Sequence, residues 1–99
     1  GEELAKEALA LGFFLGFNGI ITFKNAQNVR DILAITPLDK IIIETDSPFL
    51  TPIPYRGVEN NPFYLPFVAQ KVADEKEITV FEVSKITTEN AHRLFFNPQ

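Results

Sequence analysis

The residues best suited to chemistry lie in Lys40-Ile-Ile-Ile-Glu-Thr-Asp-Ser-Pro-Phe49, where a run of isoleucines ends abruptly in acidic and polar residues. Ile41, Ile42 and Ile43 are consecutive and β-branched, the pattern of a strand covered on both faces in a parallel sheet. Pro48 cannot donate to a ladder and forces the chain out of it. Asp46 therefore falls at the carboxyl end of the predicted strand. In open parallel sheets and in α/β barrels alike, ligands and chemistry collect at that end, so Asp46 is a candidate metal ligand. Asp-Ser-Pro is equally ordinary turn chemistry, with the carboxylate accepting from backbone N–H groups and the proline fixing the exit. The segment alone leaves both readings open.

The elements that must position this carboxylate alternate between helix and strand. Leu4, Ala8 and Leu11 recur at i, i+4 and i+7, a helical stripe over Glu2 to Leu11, and Gly12 stands where a left-handed residue would stop that helix. Phe13 to Phe17 suits a short strand. Gly16 and Gly19, around Asn18, mark a sharp turn or a place where something passes close to the backbone. Asn25 is in position to cap a helix carrying Val29, Ile32 and Leu33, which Pro37 closes. The isoleucine strand follows at once, so the order α, β, α, β with short connections predicts parallel pairing of the two strands.

After that strand, Pro48, Pro52, Pro54 and Pro62 fall among Arg56, Gly57, Asn60 and Asn61 and predict a long structured loop on the same side of the sheet as Asp46. A guanidinium at Arg56 could hold a phosphate or brace the loop by pairing with a carboxylate. Pro66 suits the first position of a helix that buries Val68, Ala69, Val72 and Ala73 and runs to about Glu75. Thr79 and Glu82 have the form of a capping box opening a short helix. Thr87 could cap a last one carrying Ala91, Leu94 and Phe95, with Ile86 as its staple. His92 on that helix reads as a surface or packing residue.

Composition bounds the rest. With 99 residues, 45% of them hydrophobic, the chain can form one core, and it contains no run long enough to span a membrane. It reads as soluble and cytoplasmic. The absence of cysteine excludes disulfides and thiolate zinc sites, and one histidine excludes a multi-histidine cluster built from this chain alone. A net charge of −4 with scattered Lys and Arg argues against a basic nucleic-acid footprint. A nuclease that meets phosphate through bound cations escapes that objection. Two parallel strands leave two open edges, so the chain reads as part of a larger sheet or barrel. A (β/α)8 barrel takes about 250 residues, which would make this its last two strands and flanking helices.

Gly12–Ala26, Pro37–Leu50, Pro54–Gly57 with Asn60 and Pro62, and Ile86–Ala91, in this order and spacing, resemble the carboxyl-terminal portion of the TatD family of metal-dependent deoxyribonucleases. The resemblance covers nearly the whole chain. It implies an α/β fold, with residues 1–99 forming the carboxyl-terminal fragment of a single TIM-like (β/α)8 barrel of the amidohydrolase type. It also implies one or two divalent ions (Mg2+, Mn2+ or Zn2+) that activate water for attack on a DNA phosphodiester. Asp46 is then both metal ligand and catalytic residue, orienting or deprotonating that water. Glu44, two positions earlier and on the same side of the strand, would hydrogen-bond neighbouring ligands from one layer deeper. Arg56 and Asn60 match the family's loop motif and would shape the substrate groove.

The chain departs from the family in lacking its His-x-His pair, its glutamate ligand and its two later histidines. It also has Asn18 between Gly16 and Gly19, where relatives are expected to carry a serine-bearing turn. A single carboxylate cannot hold a catalytic ion at useful affinity, so the isolated polypeptide is expected to be inactive without the amino-terminal part of the barrel, and to bind no metal stably. Two other functions compete with the nuclease. One is a different metallohydrolase on the same barrel, cutting a carboxylic ester or amide. The other is a noncatalytic module that self-associates through its exposed strand edges.

Overall fold

The computed structural model describes residues 1–44 and 65–96. Helix α1 spans Glu2–Ala10 and ends as its glycine requires. Gly12 takes φ +87°, its N–H donates to Leu9 O at 3.0 Å, and the Phe13 N–H donates to Ala8 O at 3.0 Å, the pairing of a Schellman stop. The helix forms where its apolar stripe predicts; within that stripe Leu4 is 67% and Leu11 73% exposed, Ala8 is half-buried, and Ala5 is the buried residue of the helix.

Strand β1 is Leu15–Phe17, shorter than the apolar run that contains it. Asn18 then ends the strand by accepting from the Ile20 N–H at 2.9 Å, and a 3-10 turn over Gly19–Thr22 sinks Ile21 into the core. Helix α2, Gln27–Ile35, starts from Ala26, and no side chain caps it. Asn25, expected in that role, is exposed. The preceding turn is organised from within the helix: the Arg30 guanidinium donates to Ile21 O (3.1 Å), Phe23 O (2.6 Å) and Lys24 O (3.3 Å). One planar cation gathers three carbonyls and so fixes the turn, but as a donor it cannot satisfy the first-turn N–H groups that a cap would.

Pro37 ends α2, a 3-10 turn over Leu38–Lys40 follows, and strand β2, Ile41–Ile43, pairs with β1 in parallel. The register sets Leu15 opposite Ile41, Gly16 opposite Ile42 and Phe17 opposite Ile43. Ile41 is fully buried, whereas Ile42 and Ile43 are half-buried, so this chain covers the expected two-faced strand only in part. Helix α3, Leu65–Lys76, places Pro66 at its second position and buries Val68, Ala69, Val72 and Ala73, the face its spacing predicts. With Phe17, Ile21, Leu33, Ile41 and Val83 they form the core.

Helix α3 also ends in a left-handed residue, here Glu77 at φ 57°, with the Ile78 N–H donating to Ala73 O at 3.1 Å. Lys76 closes the neighbouring helix end by donating to Ala34 O (3.2 Å) of α2 and to Thr36 O (2.7 Å) just past it, and burial lowers its pKa. The capping box forms as expected: Thr79 Oγ1 accepts from the Glu82 N–H at 3.0 Å, while Glu82 Oε1 accepts from the Thr79 N–H at 3.1 Å. The backbone bond from Thr79 is the main reason the Glu82 carboxyl titrates below its usual range. Helix α4 then runs unbroken over Val80–Phe96, where two helices were expected. Thr87 does not cap; its hydroxyl donates to Val83 O one turn back at 2.8 Å. Among the described residues, no helix is long and apolar enough to cross a membrane.

Candidate functional site

Because β1 and β2 are parallel, their carboxyl ends lie on one side of the sheet. The ladder continues one step past Ile43, with the Glu44 N–H donating to Phe17 O at 3.0 Å. Glu44 is exposed, and its carboxylate lies across Gly16: a Cβ at Gly16 would stand 2.6 Å from Oε1, 2.8 Å from Cδ and 3.1 Å from Oε2. The register explains the meeting. Gly16 faces Ile42, and Glu44 is two residues further along, its diagonal neighbour on the same face. The close approach that Gly16 signals in the sequence is thus made by a carboxylate. Glu44 makes no ion pair with a described residue, so its two oxygens stand at the strand end as hard donors.

Asp46, Arg56 and Asn60 lie outside the described residues. Glu44 alone therefore represents the predicted site here. Among the described residues no group of three or more His, Cys, Asp or Glu could hold a metal ion, and these residues do not amount to a metal centre. His92 is exposed on α4 with its ring 4.7 Å from that of Phe96, as expected of a surface residue.

Two concavities adjoin the strands or their turns. A cleft of about 560 Å³ bounded by Leu38, Asp39, Ile86 and Arg93 opens beside the turn leading into β2, at the opposite end of that strand from Glu44. A smaller apolar groove of about 360 Å³ runs over Leu4, Ala8, Leu15, Val29 and Ile32 and reaches Gly16, beneath the Glu44 carboxylate. Neither contains Glu44.

Sequence reasoning missed two polar residues that organise the strand ends. Arg30 fixes the turn after β1, and Asn90, 1% exposed, holds the turn before β2. A signal for Asn90 existed: it stands seven residues after Val83, on the helix stripe that faces the core, where a polar side chain demands buried partners.

Comparison with known proteins agrees with this architecture. The family model described as TatD related DNase matches residues 1–96. The metal-dependent hydrolase YabD of Bacillus subtilis is 48% identical over 93 residues, covering 94% of this chain and 36% of that protein. YcfH of Escherichia coli K12, also called a metal-dependent hydrolase, is 46% identical, with 94% and 35% covered. The crystal structure of the TatD homologue YjjV from Escherichia coli superposes with a TM-score of 0.84 at 26% identity, covering 95% of this chain and 36% of that one. The chain thus spans about a third of the length of these relatives and matches their carboxyl-terminal part. Its α/β architecture is that of the carboxyl-terminal part of a TIM barrel. This chain belongs to the TatD-related DNase family.

Proposed function

We propose that the chain supplies the last two strands of a divalent-metal-dependent hydrolase that cleaves DNA phosphodiester bonds in the cytoplasm, and that it is inactive without the rest of the barrel. The observation that carries this reading is the Glu44 carboxylate, seated over Gly16 at the shared carboxyl end of two parallel strands. Asp46 follows two residues later in the Glu-Thr-Asp sequence and serves as metal ligand and proton acceptor for the attacking water. Glu44 holds neighbouring groups in place by hydrogen bonds. Arg56 and Asn60, in the sequence that follows the strand, contact the DNA backbone. The metal, when bound, supplies Lewis acidity, and the ligands this chain lacks come from the amino-terminal part of the barrel.

The test is Asp46→Asn in the intact protein, assayed on DNA and on a small carboxylic ester with added Mn2+. DNA cleavage is expected from the wild type and lost in the variant at an unchanged melting temperature. Wild-type rates in the variant would remove Asp46 from the reaction. Turnover of the ester with none of DNA would replace the nuclease by another metallohydrolase.

A further inference from the structure

Two polar side chains are buried among the described residues. Thr36 is satisfied by the helix it closes, its hydroxyl donating to Ile32 O at 2.7 Å. Asn90 reaches across the fold. Its Nδ2 donates to Leu38 O and to Ile41 O, both at 2.8 Å, and its Oδ1 accepts from Arg93 Nη2 at 2.6 Å. Arg93 Nη2 also donates to Asp39 O at 2.6 Å. These partners define the amide's orientation, since a flipped side chain would face two carbonyls with its oxygen and a guanidinium with its NH2. A buried amide contributes little net stability even when fully paired, and an apolar residue would suit the Val83 stripe as well. Packing alone therefore does not account for it.

Its partners do. Leu38 and Asp39 belong to the turn that feeds β2 and Ile41 opens the strand, and Leu38 O also accepts the Ile41 N–H that closes that turn. The same turn is tied to the residues ahead of β1: Lys40 Nζ donates to Gly12 O at 3.3 Å and lies 4.8 Å over the Phe14 ring, with Arg93 Cζ 5.5 Å from that ring. The ladder between the strands is only three residue pairs long. So short a ladder resists sliding weakly, and a slip of one residue, about 3.3 Å, would turn Glu44 to the other face.

We infer that Asn90, steadied by Arg93, is a positioning residue that sets the register and height of β2 from its amino-terminal end, and thereby the reach of Glu44 at the other. This rests on the proposed hydrolase. In the intact protein, Asn90→Ala and the milder Arg93→Ala, which removes a partner from an exposed site, are compared with wild type well below melting. The readouts are kcat and KM on a DNA oligonucleotide with Mn2+, and amide exchange at Ile43 and Glu44 against α3. A displacement of about 1 Å costs up to about a hundredfold, so kcat per folded molecule should fall by about tenfold to a hundredfold in Asn90→Ala and less in Arg93→Ala. KM should hold, and exchange should quicken at Glu44 while α3 stays protected. Unchanged kcat and unchanged Glu44 exchange in a folded variant would overturn the proposal and leave Asn90 a stability residue. If Asn90→Ala does not fold, Arg93→Ala decides. If wild type does not cleave DNA, the nuclease reading fails by itself, and exchange at Glu44 still decides the role of Asn90.

Discussion

Gly16→Ala isolates the seat of Glu44 from the stability of the fold. The added methyl would stand 2.6 Å from Oε1 and 2.8 Å from Cδ of Glu44, against an optimal contact of about 3.5–4.0 Å. The carboxylate must therefore withdraw by roughly 1 Å. Among the described glycines, Gly12 has the positive φ and Gly16 does not, so alanine fits the backbone, and losing glycine's unfolded-state freedom stabilises by about 0.4–1 kcal/mol. Displacing an exposed, flexible carboxylate costs about 0.5–1.5 kcal/mol if it leaves its rotamer. The two nearly cancel, and the melting temperature should scarcely move.

Activity should not follow stability. Groups that orient metal ligands are worth about 10–100-fold when lost, and misplacement by about 1 Å costs as much, so kcat/KM on DNA should drop within that range. Steady-state cleavage with Mn2+ titration and a thermal melt on the intact protein measure both. A double-mutant cycle completes the assay: once Glu44→Ala has removed the carboxylate, Gly16→Ala should cost nothing more. A Gly16→Ala enzyme with full rate and unchanged Mn2+ dependence would refute the reasoning, because Glu44 would then have been moved without consequence.

Thr79→Ala removes a hydroxyl that caps α4 and should lower stability by about 1 kcal/mol, read by denaturant unfolding. The Glu82 carboxyl is held below its usual range in the fold, so its contribution is fully present above that range and fades as pH falls through the folded value. Acid titration of stability should therefore lose a component in wild type that Glu82→Gln lacks, whereas Thr79→Ala, which keeps the backbone N–H, retains part of it. The 99 residues expressed alone expose Leu4, Leu11, Phe13, Phe81, Phe95 and Phe96 and should sediment as concentration-dependent oligomers. A dilute monomer with a cooperative melt would count against their belonging to a larger barrel.

What was legible in the sequence is what neighbouring residues decide among themselves. The stop at Gly12, the box at Thr79 and Glu82, and the α3 face of Val68, Ala69, Val72 and Ala73 depend on contacts within a few residues or on strict spacing. Where a distant partner decides, local signals mislead. Thr87 looks like a cap, yet Val83 and Asn90 are both buried on one helix, which therefore runs straight through it. Asn25 is not the cap because the helix starts one residue later, from Ala26, and the turn before it is set by the more distant Arg30. Leu4 and Leu11 mark a helix correctly, but periodicity cannot say which neighbour covers the stripe. At the candidate site, Gly16 announced a close approach without naming Glu44, while Asp46, Arg56 and Asn60 lie outside the described residues.

The unbroken course of α4 makes it a ruler. Its zero mark is the Thr79 and Glu82 box, and its reading is taken at Asn90, eight positions after Glu82 and roughly 12 Å along the axis. Adding or deleting one residue between them would rotate the amide by about 100° and swing it off the β2 turn. Exposed side chains along this stretch should thus exchange freely among related proteins while the count of residues stays fixed.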